Sequence, residues 1–136
     1  FRVGYGIANP QLVELLNRVR SPFNVNKVAQ IAAVAALDDQ QHVQKSRDCN
    51  EKGKNYLYNS LDELGLQYIP TQGNFMLINT EQNAVEVFEK LMQQGVIVRP
   101  GNIFGLPTWI RVTIGQKEDN QEFIKQLKNI ISKGEL

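Results

Sequence analysis

The chain has 136 residues, 42% of them hydrophobic, and a formal net charge of +1. This composition excludes a disordered or fibrous chain, and the length suits a domain with a genuine core. A near-neutral balance without a basic block gives nucleic-acid binding little support, and the single cysteine, Cys49, excludes an internal disulfide framework and a cysteine-based metal cluster. No run approaches the ~18 apolar residues of a membrane span, and none reads as a signal peptide. A cytoplasmic setting with no membrane partner is therefore expected.

The opening run Phe1-Arg2-Val3-Gly4-Tyr5-Gly6-Ile7 reads as a strand. It starts without an initiator methionine, which predicts a piece of a longer chain. Asn9-Pro10 marks a helix start, with Pro10 acceptable in the first turn. Leu12, Leu15, Leu16 and Val19 follow at helical spacing, and Arg20-Ser21-Pro22 ends the element. After a turn at Phe23-Asn24-Val25-Asn26, a second helix is expected from Lys27 to Leu37, with Val28, Ile31, Ala32 and Ala35 as its stripe. A long polar helix follows from Asp39 to Leu64. Leu57, Leu61 and Leu64 mark its second half, Gly65 suits its C-terminal cap, and Gly53 interrupts it.

From there strands and helices alternate. Leu66-Gln67-Tyr68-Ile69 and Phe75-Met76-Leu77-Ile78 read as strands. Val85, Phe88, Leu91 and Met92 give a helical stripe closed by Gly95. Val96–Arg99 and Trp109–Ile114 read as two more strands, and a last helix carries Phe123, Leu127, Ile130 and Ile131. The order β-α-α-α-β-β-α-β-β-α predicts an α/β fold, with helices packed on a small mixed, partly antiparallel sheet. The boundary argued from the sequence lies near Asn26 to Leu37, where an opening piece gives way to a self-contained α/β unit.

Two arginines carry the strongest chemical signal. On the strand Trp109–Ile114, alternation puts Ile110, Val112 and Ile114 on one face and Trp109, Arg111 and Thr113 on the other. A guanidinium in mid-strand is costly to bury unless an anion pairs with it. Arg99 ends the preceding strand, across a loop in which Gly101 and Gly105 would allow folding over a ligand. Two guanidiniums near one another suit a doubly anionic small molecule, because arginine forks carboxylate and phosphate. Arg2, beside Gly4 and Gly6, is either a surface arginine or a phosphate contact, and its sequence pattern leaves the two level. His42 reads as solvated, with no metal-ligand spacing around it, and Cys49 as inert. No metal site and no Ser/His/Asp set can be assembled.

Phe1-Arg2-Val3-Gly4-Tyr5-Gly6-Ile7-Ala8, Pro22-Phe23-Asn24-Val25-Asn26, Gly73-Asn74-Phe75, Val98-Arg99-Pro100, and Gly105-Leu106-Pro107 through Ile110-Arg111-Val112-Thr113-Ile114-Gly115 occur in this order. Together they resemble the C-terminal part of the histidinol-phosphate aminotransferases, pyridoxal-phosphate enzymes of fold type I. The resemblance covers essentially the whole chain. It implies a remnant of the large cofactor-binding domain at 1–26 and the small C-terminal domain at 27–136. It implies that Arg2 holds the cofactor phosphate, that Arg111 binds the substrate α-carboxylate and Arg99 the substrate phosphate, and that Asn24 lies near the active site. The family's Schiff-base lysine falls upstream of Phe1, so no catalytic residue is expected within this sequence and the chain alone is expected to be inactive. The parent would move an amino group between glutamate and imidazole-acetol phosphate in histidine biosynthesis, as a homodimer. An aromatic aminotransferase or a threonine-phosphate decarboxylase of the same fold would share these segments. A non-catalytic ligand-binding or assembly module is the alternative of a different class.

Overall fold

The computed structural model describes residues 1–132. The chain divides into two compact units, Phe1–Gln44 and a second that begins at Lys45.

In the first unit, α1 spans Pro10–Val19 and α2 Lys27–Asp38. Each is started by an asparagine. The Asn9 side chain accepts from the backbone N–H of Gln11 at 2.9 Å, and that of Asn26 from Ala29 at 2.8 Å. These bonds satisfy N–H groups that a helix start leaves open. The apolar stripes expected for both helices are present, yet the chain does not cover them. Leu15, Leu16, Val28 and Ile31 are all exposed, and of α2 only Ala29 is buried.

The expected opening strand is corrected: Phe1–Ile7 takes no strand conformation. A strand is defined by its partner, and among the described residues no segment pairs with this one.

The helix α3 spans Gln40–Glu63, and from Lys45 onward it opens the second unit. There β1 (Tyr68–Ile69), β2 (Phe75–Asn79), α4 (Ala84–Gln93), β3 (Arg99–Pro100), β4 (Trp109–Thr113) and α5 (Lys117–Ser132) follow in order. The strands form one sheet in the order β1-β2-β4-β3. Every pairing is antiparallel, which corrects the expectation of a mixed sheet. A parallel pair needs a long crossover between its strands. Here α4 leads instead to an edge position beside β4, antiparallel to it.

Alternation along these strands divides the sheet into two faces. Met76, Ile78, Ile110 and Val112 are buried, and they join Leu57, Leu61, Val87, Leu91, Phe123 and Leu127 from the helices in one core. On α4 the buried face is Ala84, Val87 and Leu91, rotated from the expected stripe, and Met92 is left exposed. The same termination device stops α3 and α4. Gly65 and Gly95 adopt left-handed φ values of 68° and 80°. The next residue, Leu66 or Val96, then bonds back to the carbonyl of Leu61 or Leu91. Both turns feed the chain directly from a helix into the approach to a strand.

Gly53 has a packing reason. A Cβ there would stand 2.6 Å from Ile114 Cγ2 and 2.9 Å from Asn120 Nδ2. Asn120 is itself buried and clasps Gly115, accepting from its N–H and donating to its carbonyl, both at 3.0 Å. This clasp fixes the turn by which β4 enters α5.

Candidate functional site

The second face of the sheet is the open one. Cross-strand partners point to the same side, so the register Leu77↔Arg111, Asn79↔Trp109 and Arg99↔Arg111 assembles Phe75, Leu77, Arg111, Trp109 and Arg99 there. Arg99 and Arg111 are thus direct cross-strand neighbours, as their two strands suggested. Like charges placed opposite one another destabilise a strand pair. Among the described residues no carboxylate offsets them: the ion pairs are Glu14–Arg18, Glu51–Lys54 and Glu122–Lys125.

What each guanidinium meets instead is an aromatic ring. The Arg111 guanidinium carbon lies 5.2 Å from the Phe75 ring centroid, and that of Arg99 lies 5.6 Å from the Phe104 centroid. Both distances fall in the range of cation–π attraction. Arg111 is half-buried and Arg99 exposed. The sequence marked the arginines but not the rings. Phe75 reads as one more apolar residue of a buried strand, and only the register with β4 places it beside the cation. Phe104 reads as loop.

The loop between the arginines is folded on itself. Residues Asn102–Phe104 form one 3₁₀ turn, closed by Gly105 at a φ of 73°. Gly101 donates to the Trp109 carbonyl at 2.7 Å and accepts from Phe104 at 2.8 Å. A Cβ on Gly101 would stand 2.7 Å from the Trp109 carbonyl oxygen and 2.8 Å from that of Leu106. Both are backbone atoms, so this position requires glycine. The result is a braced loop that fixes where Phe104, and with it Arg99, stands.

The other two candidates belong to the first unit. Arg2 has a φ of 51°, is exposed, and has no ion pair or hydrogen bond among the described residues. The space next to Gly4 and Gly6 is open. A free guanidinium beside bare backbone fits the phosphate end of a cofactor. Asn24 accepts from Arg20 Nη1 at 3.2 Å and helps line a shallow cleft of about 410 Å³ with Asn17, Phe23 and Gln30. Among the described residues no group of three His, Cys, Asp or Glu side chains could hold a metal ion, and no helix is long and apolar enough to cross a membrane.

Residues 1–127 match the family of class I and II aminotransferases. The chain belongs to that family. It is 55% identical over 130 residues to a histidinol-phosphate aminotransferase from Caldicellulosiruptor saccharolyticus, covering 96% of this chain and 36% of the relative. It is 53% identical to a histidinol-phosphate aminotransferase from Moorella thermoacetica, covering 96% of this chain and 34% of the relative. The chain therefore spans about a third of the length of the curated relatives it matches. Among solved structures, the histidinol-phosphate aminotransferase of Clostridium acetobutylicum superposes with a TM-score of 0.81 at 21% identity, over 92% of this chain and 39% of the other. That of Sinorhizobium meliloti, solved in complex with pyridoxal-5'-phosphate, gives a TM-score of 0.78 at 21% identity, over 91% of this chain and 35% of the other. These two likenesses establish the fold-type-I aminotransferase fold.

Proposed function

We propose that this chain is the C-terminal part of a pyridoxal-phosphate transaminase that moves an amino group between glutamate and imidazole-acetol phosphate. The observation that carries the reading is the cross-strand pair Arg99 and Arg111 on the open face, without a carboxylate partner among the described residues. Two adjacent cations are costly without anionic charge between them, and imidazole-acetol phosphate brings that charge as one dianionic phosphate. Glutamate, with two carboxylates, meets the same pair, so both half-reactions use one set of donors.

In this reading Arg111 forks the α-carboxylate of glutamate and Arg99 the substrate phosphate. Arg2 holds the phosphate of the cofactor, and Asn24 lies near the active site on the substrate side. Bound pyridoxal phosphate supplies the electron sink that lets an amino group leave one substrate and join another. The covalent lysine is assigned by resemblance to a segment ahead of Phe1, so residues 1–136 alone are proposed to be inactive. By resemblance, residues 1–26 are read as the remnant of the large domain and 27–136 as the small domain, although the compact units of the chain divide at Gln44 and Lys45. A homodimer in a cytoplasmic setting completes the proposal, and the exposed apolar stripes of α1 and α2 support association with further protein surface.

The test is a substrate profile of the full-length parent. Turnover of imidazole-acetol phosphate with glutamate, well above that of phenylpyruvate, is the expected result. A parent that uses phenylpyruvate and ignores the imidazole phosphate, or that releases carbon dioxide from threonine phosphate, overturns the substrate assignment.

A further inference from the structure

We propose that Phe75 and Phe104 are positioning residues that hold the two guanidiniums in place for anion binding, one ring to each. The inference rests on the reading of Arg99 and Arg111 as anion-binding residues and deepens it.

A guanidinium has two distinct binding surfaces. Its faces attract an aromatic ring, while its N–H donors all point outward in the plane. A carboxylate partner would immobilise an arginine but would occupy those in-plane donors. A ring under the face immobilises it and leaves the whole fork free for a ligand. Here each guanidinium carbon lies within cation–π distance of one ring. Arg111 stands over Phe75 and Arg99 over Phe104, and neither guanidinium makes a hydrogen bond or ion pair among the described residues.

The two rings come from different places. Phe75 opens β2 and reaches Arg111 from one side of β4, because Phe75 pairs with Thr113 and Leu77 with Arg111. Phe104 lies on the braced loop and reaches Arg99 on the far edge strand. Both rings are large and substantially exposed, Phe75 at 44% and Phe104 at 56%.

The test uses the full-length enzyme carrying this chain, loaded with pyridoxal phosphate so that the cofactor's own phosphate seat is filled. Inorganic phosphate probes the Arg99 end and acetate the Arg111 end, with binding followed through the arginine Nε–H NMR signals. Phe104→Leu is expected to weaken phosphate by roughly two- to fivefold and to shift the Arg99 signal while that of Arg111 stays in place. Phe75→Leu is expected to do the same to acetate and Arg111. Phe104→Tyr and Phe75→Tyr, which keep a ring, restore both signals and both affinities. Leucine variants that bind as the parent does overturn the proposal. So do tyrosine variants as weak as the leucine ones, and a single leucine substitution that shifts both arginine signals together. A parent inactive toward imidazole-acetol phosphate removes the substrate assignment, while the two anion titrations still decide this inference.

Discussion

The two faces of the sheet are built from the same strands and obey opposite rules. On the covered face, Met76, Ile78, Ile110 and Val112 lie between 0% and 5% exposed, packed on the helices. On the open face, one residue along in each case, stand Phe75, Leu77, Trp109 and Arg111. Neighbours in sequence thus belong to different jobs, because a strand turns each successive side chain to the other side. Stability is concentrated on one side and ligand chemistry on the other, so adjacent substitutions are expected to fail in different ways.

The sharpest division falls between Ile110 and Arg111. Ile110→Ala removes a fully buried side chain from the core and is expected to cost about 2–5 kcal/mol of folding stability, read as a lowered denaturation midpoint. Arg111→Ala is expected to leave that midpoint nearly in place and to lower kcat/KM of the full-length enzyme by about 2–5 kcal/mol, since a buried substrate carboxylate would lose its partner. A large loss of stability in Arg111→Ala would break the division between the faces. A smaller effect tests the helix behind the covered face. Gly53→Ala forces a Cβ against Ile114 and Asn120, and about 1–3 kcal/mol of destabilisation is expected, with ligand affinity unchanged.

The alternation, the helix stops and the arginine pair were legible in the sequence because each is a local pattern. The hydrophobic spacing of α1 was legible too, but not whether anything covers it: Leu15 and Leu16 are exposed in this chain. The opening strand was misread for a related reason. Phe1–Ile7 has strand-like composition, and composition does not supply a partner. Gly53 looked like a flaw in a helix and is a close contact with residues more than sixty positions away. Phe75 and Phe104 were invisible as partners of the arginines because their roles depend on cross-strand register and on a folded loop. The α4 face was misjudged by the span of one neighbouring residue. A short amphipathic helix with Val85, Val87, Phe88, Leu91 and Met92 permits two apolar stripes, and packing chose the one through Val87.

The smallest expected effect concerns Tyr68, at the opposite edge of the sheet from Arg99. Partial burial, then the hydrogen bond and charge of Asp62, then Tyr58, hold its hydroxyl above the usual tyrosine value of 10.0. Tyr58 stacks on it at 4.8 Å between centroids. The phenolate is therefore disfavoured in the folded chain. The stability contributed by the protonated form is fully present below the unfolded value and is lost as pH rises through the higher folded one. Denaturation midpoints taken across that alkaline range should decline, and Tyr68→Phe should flatten the decline. An unchanged slope in the variant would assign it to other groups.

The pairing of Arg99 with Arg111 has a consequence for how the chain folds. The two strands are joined only by residues 101–108, and the loop is closed largely by its own backbone hydrogen bonds. Bringing its ends together costs little chain entropy compared with the distant contacts that join α3 to α5. The anion fork is therefore a short-range structure, able to form early in a folding pathway whose slower steps gather the core beneath it. The proposed anion-binding pair would thus be set by a short loop rather than by contacts between distant parts of the chain.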